Sequence, residues 1–222
     1  MNGETTAARL AQVRERIAAA CERSGRSPQE VTLIAVSKGF GAAAVREAAA
    51  AGVTDIGENR VQEAADKRPE LGGLGGVTWH MIGHLQRNKV KAALGLFDVI
   101  HSVDSLRLAE AISNRALSNV PVFLEVNVSQ EPTKTGFTIA EVADAYGAAR
   151  RLHLDIRGLM TVAPLAERAE DVRPIFRDLR QTARGLGLKQ LSMGMTDDYE
   201  VAIEEGATHV RVGRAIFGER PG

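Results

Sequence analysis

Residues 31–60 have the sequence VTLIAVSKGFGAAAVREAAAAGVTDIGENR, in which an alanine-rich segment joins two short apolar runs. The runs at 31–38 and 53–57 are rich in β-branched residues and predict buried strands. The segment at 42–51 consists mostly of strong helix formers and stops before Gly52, so it predicts a helix. The stretch therefore predicts a strand–helix–strand unit whose two strands are parallel.

The same alternation continues along the rest of the chain. Further strand-like runs lie at 77–83, 98–103, 120–128, 154–162, 189–193 and 208–213. Helical segments lie at 5–24, 86–94, 106–117, 139–152, 169–185 and 199–205. Eight strands in alternation with helices predict an α/β fold, a (β/α)8 TIM barrel over about 31–218 within one domain of residues 1–222. A doubly wound open sheet is the alternative, because counting strands does not show whether a sheet closes.

Composition and charge narrow the class of protein. The 222 residues carry 28 Lys+Arg and 28 Asp+Glu, a balance that argues against nucleic-acid and membrane partners. The one cysteine, Cys21, allows no intramolecular disulfide and no cysteine-based zinc site. The N-terminus has no apolar signal segment, and no apolar run approaches the roughly 20 residues that cross a bilayer. We therefore expect a cytoplasmic protein.

Polar residues gather where the predicted strands end. In a TIM barrel the active site assembles at the C-terminal ends of the strands, so these residues are expected to meet there. They are Ser37, Lys38, Glu58, Asn59, His80, His84, His101, Ser102, Asp104, Asn127, Ser129, Thr161, Ser192, Thr196, Arg211 and Gly213.

The last two strand ends have the composition of a phosphate site. Their sequences are SMGMTDD at 192–198 and RVGRAIFG at 211–218. Each places glycine, with a small hydroxyl residue in the first, near a helix start, where free backbone N–H groups and the helix dipole favour an anion. The seventh and eighth loops are also the usual phosphate cradle of the barrel. A phosphorylated ligand is therefore predicted.

Lys38 follows the apolar run 33–36, so its ammonium is expected to face a partly desolvated pocket. Desolvation lowers a lysine pKa and makes the neutral, nucleophilic amine accessible, as Schiff-base formation requires. The alternative, that Lys38 simply leaves the sheet for solvent, stays open at this level.

Several longer motifs resemble one family. They are AVSK at 35–38, IGENRVQE at 56–63, WHMIGHLQRNKVK at 79–91, HSVDS at 101–105, PTKTGF at 132–137, RGLMT at 157–161, LSMGMTDDYEVAI at 191–203 and VRVGRAIFG at 210–218. In this order they cover almost the whole chain and resemble the YggS/PROSC family of pyridoxal phosphate homeostasis proteins. Gly39-Phe40 and Arg60 depart from the common pattern of that family, which affects the expected pocket rim and not the lysine chemistry.

The resemblance implies a barrel like the N-terminal domain of bacterial alanine racemase, with pyridoxal 5'-phosphate (PLP) held as an internal aldimine on Lys38. It also implies that Arg211 faces the pyridine nitrogen. Backbone N–H groups of Gly213 and Arg214 would bind the phosphate, with further donors from Ser192 and Thr196. For Asn59 two roles stay open, capping a helix and contacting the cofactor.

The expected function is PLP homeostasis without robust catalysis, because an arginine can donate to the ring nitrogen but cannot protonate it as an acidic partner does. Racemases with this arginine add a tyrosine from a second domain, whereas Tyr146 and Tyr199 lie in predicted helices and the chain ends after the eighth unit. We expect a monomer or weak dimer that passes PLP to PLP-dependent apo-enzymes. The alternatives are a PLP-dependent racemase or related enzyme completed by dimerisation, and a PLP-free Schiff-base aldolase acting on a sugar phosphate through Lys38.

Other polar residues have structural explanations. His80 and His84 straddle a strand end without a third ligand, so we expect no metal site. Asp104 is predicted to cap the following helix, and Cys21 to be a small core residue. The basic residues at 87, 89 and 91 predict a solvated helix face, with an anionic partner as the less favoured interpretation.

Overall fold

The computed structural model describes residues 4–72 and 74–219, and its centre is a closed barrel of eight parallel strands. The strands are β1 Thr32–Val36, β2 Asp55–Glu58, β3 Thr78–Met81, β4 Val99–Val103, β5 Val120–Glu125, β6 Leu154–Met160, β7 Gln190–Met195 and β8 His209–Val212. Each pairs with its neighbours in chain order, and β1 closes the barrel on β8. The predicted (β/α)8 barrel is confirmed, and the open-sheet alternative is wrong.

Helices surround the barrel in the predicted alternation. They are α1 Thr6–Arg23, α2 Ala42–Ala50, α3 Val61–Glu70, α4 Val90–Leu94, α5 Leu106–Ser113, α6 Val142–Ala149, α7 Arg173–Gly185, α8 Tyr199–Glu204 and α9 Arg214–Phe217. Short 3-10 turns at Arg87–Lys89 and Ala169–Val172 form the first parts of two segments that were predicted as wholly helical. No helix in the described ranges is long and apolar enough to cross a membrane.

The N-terminal helix α1 lies outside the barrel and packs on its last units. Its apolar stripe of Leu10, Val13, Ile17 and Cys21 is buried, as helical spacing requires of one face of an amphipathic helix. The guanidinium of Arg9 reaches across to α9 and donates to the Ile216 carbonyl at 2.7 Å. The prediction that Cys21 is a core residue is confirmed, since its side chain is fully buried.

The barrel interior combines a small apolar cluster with buried polar side chains. Val99, Phe123 and Met160 form the apolar cluster. Inward-facing positions of TIM barrels are ordinarily filled by branched apolar residues. Here His80, His101, Ser192 and Arg211 are also buried, and the His101 ring stacks on Phe123 with 4.4 Å between centroids. The interior is therefore polar beneath the carboxyl ends of the strands.

Candidate functional site

A cleft of about 320 Å³ opens at the carboxyl ends of the strands. Six of the seven predicted site residues line it, which are Lys38, Asn59, Thr196, Arg211, Gly213 and Arg214. Apolar walls come from Val36, Ile82, Val162 and Met195, with Asp197 at the rim. The structure thus brings together side chains from β1, β8 and the loops after β2 and β7.

Lys38 lies two residues beyond the end of β1 and is half-buried. It also lines a second cavity, beside the main cleft, that runs along Phe40, Gly213 and Arg214. The Phe40 ring stacks on Phe217 of α9 with 5.2 Å between centroids, which closes this side of the site with apolar surface. A lysine in such surroundings is partly shielded from water, as the sequence predicts.

A buried ion pair supports the backbone on both sides of Lys38. Lys67 of α3 donates to Glu58 Oε1 at 2.6 Å and to the Ser37 carbonyl at 2.7 Å. Glu63 accepts from the Gly39 backbone N–H at 2.9 Å. The Lys67–Glu58 pair was not predicted from the sequence. A usable signal was present, because Lys67 stands at a core-facing helical position nine residues after a glutamate at a strand end.

Arg211 is the cation at the base of the cleft. Its guanidinium donates to the Ser192 hydroxyl at 2.7 Å and to the Thr161 carbonyl at 2.8 Å, and its side chain is buried. Burial lowers its pKa to about 10, against the opposing effect of Asp198 and Glu125. Among the described residues no carboxylate forms an ion pair with Arg211, so its direct hydrogen-bond partners are neutral acceptors.

Ser192 is the predicted site residue that does not line the cleft. It is completely buried, and its hydroxyl is taken up by Arg211 and by Nδ1 of His101, 2.8 Å away. The pairing of β7 with β8 shifts register between Ser192 and Met195, which carries the chain from the core up to Thr196 at the cleft. Ser192 thus contacts Arg211 directly, and its contact with a ligand stays a prediction.

The start of α9 has the features expected of an anion site. Gly213 precedes the helix, and its N–H donates to the Thr196 hydroxyl at 3.3 Å. The first N–H groups of a helix have no acceptor within it, so those of Arg214 and Ala215 remain for a ligand. The Arg214 side chain is exposed and pairs with Asp197 at 2.9 Å. Thr196 and Gly213 thus lie together, and the Gly213 N–H that was predicted for a phosphate is bonded to Thr196.

Asn59 and Asp104 were both considered as helix caps. The residue that caps α3 is Arg60, so the capping role of Asn59 is wrong and its place is in the cleft. The cap of α5 is Ser105, whose hydroxyl accepts from the Leu108 N–H. The prediction for Asp104 is therefore wrong. Its carboxylate instead lies 2.9 Å from His84 Nδ1, so the pair bridges two neighbouring strand ends.

Neither tyrosine lines the cleft. Tyr146 lies in α6 and Tyr199 is buried in α8, as the sequence predicts. Two carboxyl groups do lie near Arg211, and burial raises the pKa of both Glu125 and Asp198. Asp198 accepts from the Met195 N–H and shapes the loop after β7. Within the described ranges, no three potential ligands gather into a metal site.

The chain is similar to proteins of known family along nearly its whole length. The family described as alanine racemase, N-terminal domain, matches residues 8–221. Relatives described as pyridoxal phosphate homeostasis protein are 44% identical in Aquifex aeolicus, where 96% of this chain matches 97% of the relative. The relative in Pseudomonas aeruginosa is 45% identical, with 97% and 96% covered.

Solved structures agree with the sequence relatives. PipY of Synechococcus elongatus, solved with PLP bound, is 42% identical and superposes with a TM-score of 0.82 over 93% of this chain and 100% of PipY. An alanine racemase from Clostridium difficile superposes with a TM-score of 0.71 at 14% identity, over 95% of this chain and 57% of the racemase. The second likeness concerns the fold alone.

Proposed function

This chain belongs to the family of pyridoxal phosphate homeostasis proteins, and from that premise we propose that it binds PLP in the cleft and acts as a cofactor carrier. The observation that carries the proposal is the cleft in which Lys38, Arg211 and the start of α9 face one cavity. The single cysteine is buried, which suits a reducing compartment, so we propose that the protein acts in the cytoplasm.

The residues of the cleft fit PLP by their chemistry. A phosphate needs backbone donors and positive potential, which the N–H groups at the start of α9 and the side chain of Arg214 supply. A neutral pyridine nitrogen is a hydrogen-bond acceptor, and Arg211 is a buried group that only donates. Apolar Val36, Ile82 and Met195 suit the faces of the ring.

Lys38 is the proposed point of attachment. When bound, PLP supplies an aldehyde that condenses with a primary amine and releases water. The half-buried Lys38 amine borders both the cleft and the neighbouring cavity at Gly213. The buried Lys67–Glu58 pair holds the Ser37 carbonyl, and Glu63 holds the Gly39 N–H. These bonds orient the backbone from which the Lys38 side chain extends.

The charge at Arg211 favours holding the cofactor over catalysis with it. PLP catalysis relies on the ring as an electron sink, and a protonated ring nitrogen makes it a strong one. A guanidinium has no acceptor atom and cannot deliver a proton at neutral pH. Neither Tyr146 nor Tyr199 is among the residues that line the cleft. The relatives' descriptions name homeostasis, and neither the racemase nor the aldolase alternative gains support from them.

The attachment is tested by titrating purified protein with PLP and following the visible absorption band. We expect saturable binding by the wild type and loss of the band in Lys38→Ala. Lys89→Ala is the matched control, because Lys89 is exposed in the 3-10 turn before α4. An unchanged band in Lys38→Ala would contradict the attachment.

The carrier role needs a separate assay. Loaded protein is mixed with an apo-form PLP enzyme, and recovery of that enzyme's activity is compared with recovery from the same concentration of free PLP. We expect transfer from the wild type and no amino-acid turnover by the loaded protein itself. Substantial racemisation that Lys38→Ala abolishes would overturn the carrier role in favour of an enzyme.

A further inference from the structure

A chain of hydrogen bonds crosses the barrel interior from one end to the other. Asp55 Oδ1 lies 2.9 Å from His80 Nε2, and His80 Nδ1 lies 2.9 Å from His101 Nε2. His101 Nδ1 lies 2.8 Å from the Ser192 hydroxyl, which accepts from Arg211 at 2.7 Å. Asp55 begins β2 and lines a groove at the opposite end of the barrel from the cleft.

The chemistry of its members gives the chain a direction. Arg211 can only donate, so Ser192 is its acceptor and has one proton left to give. Given to His101 Nδ1, that proton leaves His101 with its own on Nε2, facing His80 Nδ1. His80 then carries its proton on Nε2, facing the Asp55 carboxylate. In this arrangement every donor points from Arg211 toward Asp55, and each member finds a partner.

The charge states of His101 and Asp55 agree with this direction. Full burial, together with repulsion from the Arg211 guanidinium, holds the pKa of His101 well below its usual value, so its ring is neutral. Burial would raise the pKa of Asp55, but hydrogen bonds from His80 and Thr54 hold it below its usual value. The chain therefore joins a buried cation to a carboxylate through hydrogen-bonded groups that polarise one another.

We propose that Ser192, His101, His80 and Asp55 form a relay that positions Arg211 and keeps it a cationic donor toward the cofactor ring. The relay adds a hydrogen-bonded path from Arg211 to the Asp55 carboxylate, beside the more distant attraction of Asp198 and Glu125. The relay rests on the proposed function for the identity of the ligand. The direction of its hydrogen bonds does not depend on that function. These are positioning residues, since they act through Arg211 and do not line the cleft.

The direction is tested in unloaded protein by long-range proton–nitrogen NMR of histidine labelled with nitrogen-15. The chain has five histidines, so the spectrum is assignable by single His→Gln variants. We expect His101 and His80 to be neutral, each with its proton on Nε2. A proton on Nδ1 of His101, or a doubly protonated His80, would overturn the direction of the relay.

Its effect on the cleft is tested with Asp55→Asn, which removes the terminal charge and keeps the side-chain shape. We expect PLP binding to weaken by about tenfold, because the Asp55 charge acts on Arg211 through hydrogen bonds in a low-dielectric interior. Asp98→Asn is the matched control, because Asp98 precedes β4 and accepts from the Trp79 N–H outside the relay. We expect it to change PLP binding by less than about twofold.

A spectroscopic measurement separates the relay from simple packing. On PLP loading we expect the His80 ring resonances to shift, and Ser192→Ala to abolish that shift. If PLP binds but Asp55→Asn matches Asp98→Asn, or His80 does not respond, the relay is overturned while the proposed function stands. If PLP does not bind at all, the proposed function fails, and the tautomers of the unloaded protein still decide the direction of the chain.

Discussion

Replacing Lys67 by methionine tests the support beneath Lys38, because it leaves the Glu58 carboxylate buried without its cation. Lys67 donates to Glu58 at 2.6 Å and to the Ser37 carbonyl at 2.7 Å, and Glu58 is fully buried. Removing one partner of a buried pair costs about 3–5 kcal/mol, because a charge is left uncompensated. That is a large part of the roughly 5–15 kcal/mol that stabilises a typical domain.

The loss in Lys67→Met should depend on pH in a defined direction. Burial raises the pKa of Glu58 in the wild type, and losing Lys67, which lowers it, raises it further. A raised carboxyl pKa penalises the ionised form, so the penalty is full above the folded pKa and vanishes below the unfolded value of about 4.3. The free-energy difference between wild type and variant should therefore shrink as the pH falls from 8 toward 5.

Urea unfolding followed by Trp79 fluorescence measures both effects. Trp79 is the only tryptophan, is buried, and lies against Arg68 of α3 at 5.3 Å. Lys89→Met, at an exposed position, is the control and should cost less than about 0.5 kcal/mol. Adding Glu58→Gln to Lys67→Met should restore much of the stability. A loss below about 1 kcal/mol in Lys67→Met, or one equal at both pH values, would refute the reasoning.

Three further predictions concern the cleft, the end of β7 and the barrel interior. Arg211→Met should weaken PLP binding by roughly 10- to 100-fold in an absorption titration, because a charge-assisted hydrogen bond contributes about 1.5–3 kcal/mol. Gly194→Ala should lower the free energy of unfolding by more than about 1 kcal/mol, since Gly194 has φ +91° and a Cβ there would lie 2.6 Å from Ala202 Cβ. Gly147→Ala, in open space on α6, should be neutral or slightly stabilising in the same assay. Burial lowers the pKa of His209 to about 4, so the unfolded chain takes up its proton first as the pH falls below about 6.5. Through His209, the free energy of unfolding of the wild type should therefore fall by up to about 3 kcal/mol between pH 6.5 and 4. His209→Phe should lack this part of the decrease.

The parts of the site that the sequence predicted depend on position along a single strand. Lys38 and Arg211 follow or lie in short apolar runs, and the carboxyl ends of parallel strands all meet at one face of the barrel. Knowing the strands was therefore enough to bring Lys38, Arg211 and Gly213 together. Closure of the sheet followed only from the pairing of β1 with β8, which no local pattern encodes.

The relay could not be predicted, because it depends on how neighbouring strands are staggered. His80, His101 and Ser192 come from three strands, and their side chains meet only at the registers that the closed barrel imposes. The same stagger explains why Ser192 is buried and does not line the cleft. A register shift separates Ser192 in the core from Thr196 at the cleft, and the sequence SMGMT does not reveal it. Alternate placement of His209 and Arg211 along β8 was one local signal of a polar interior.

The central claim, that Lys38 is the residue that holds PLP, is tested most directly by chemical trapping. Protein loaded with PLP is reduced with borohydride, digested, and mapped by mass spectrometry. The account predicts one stoichiometric adduct on the peptide that contains Lys38, and none at that peptide in protein reduced without PLP. An adduct confined to another lysine, or a protein that PLP leaves unmodified, would contradict it.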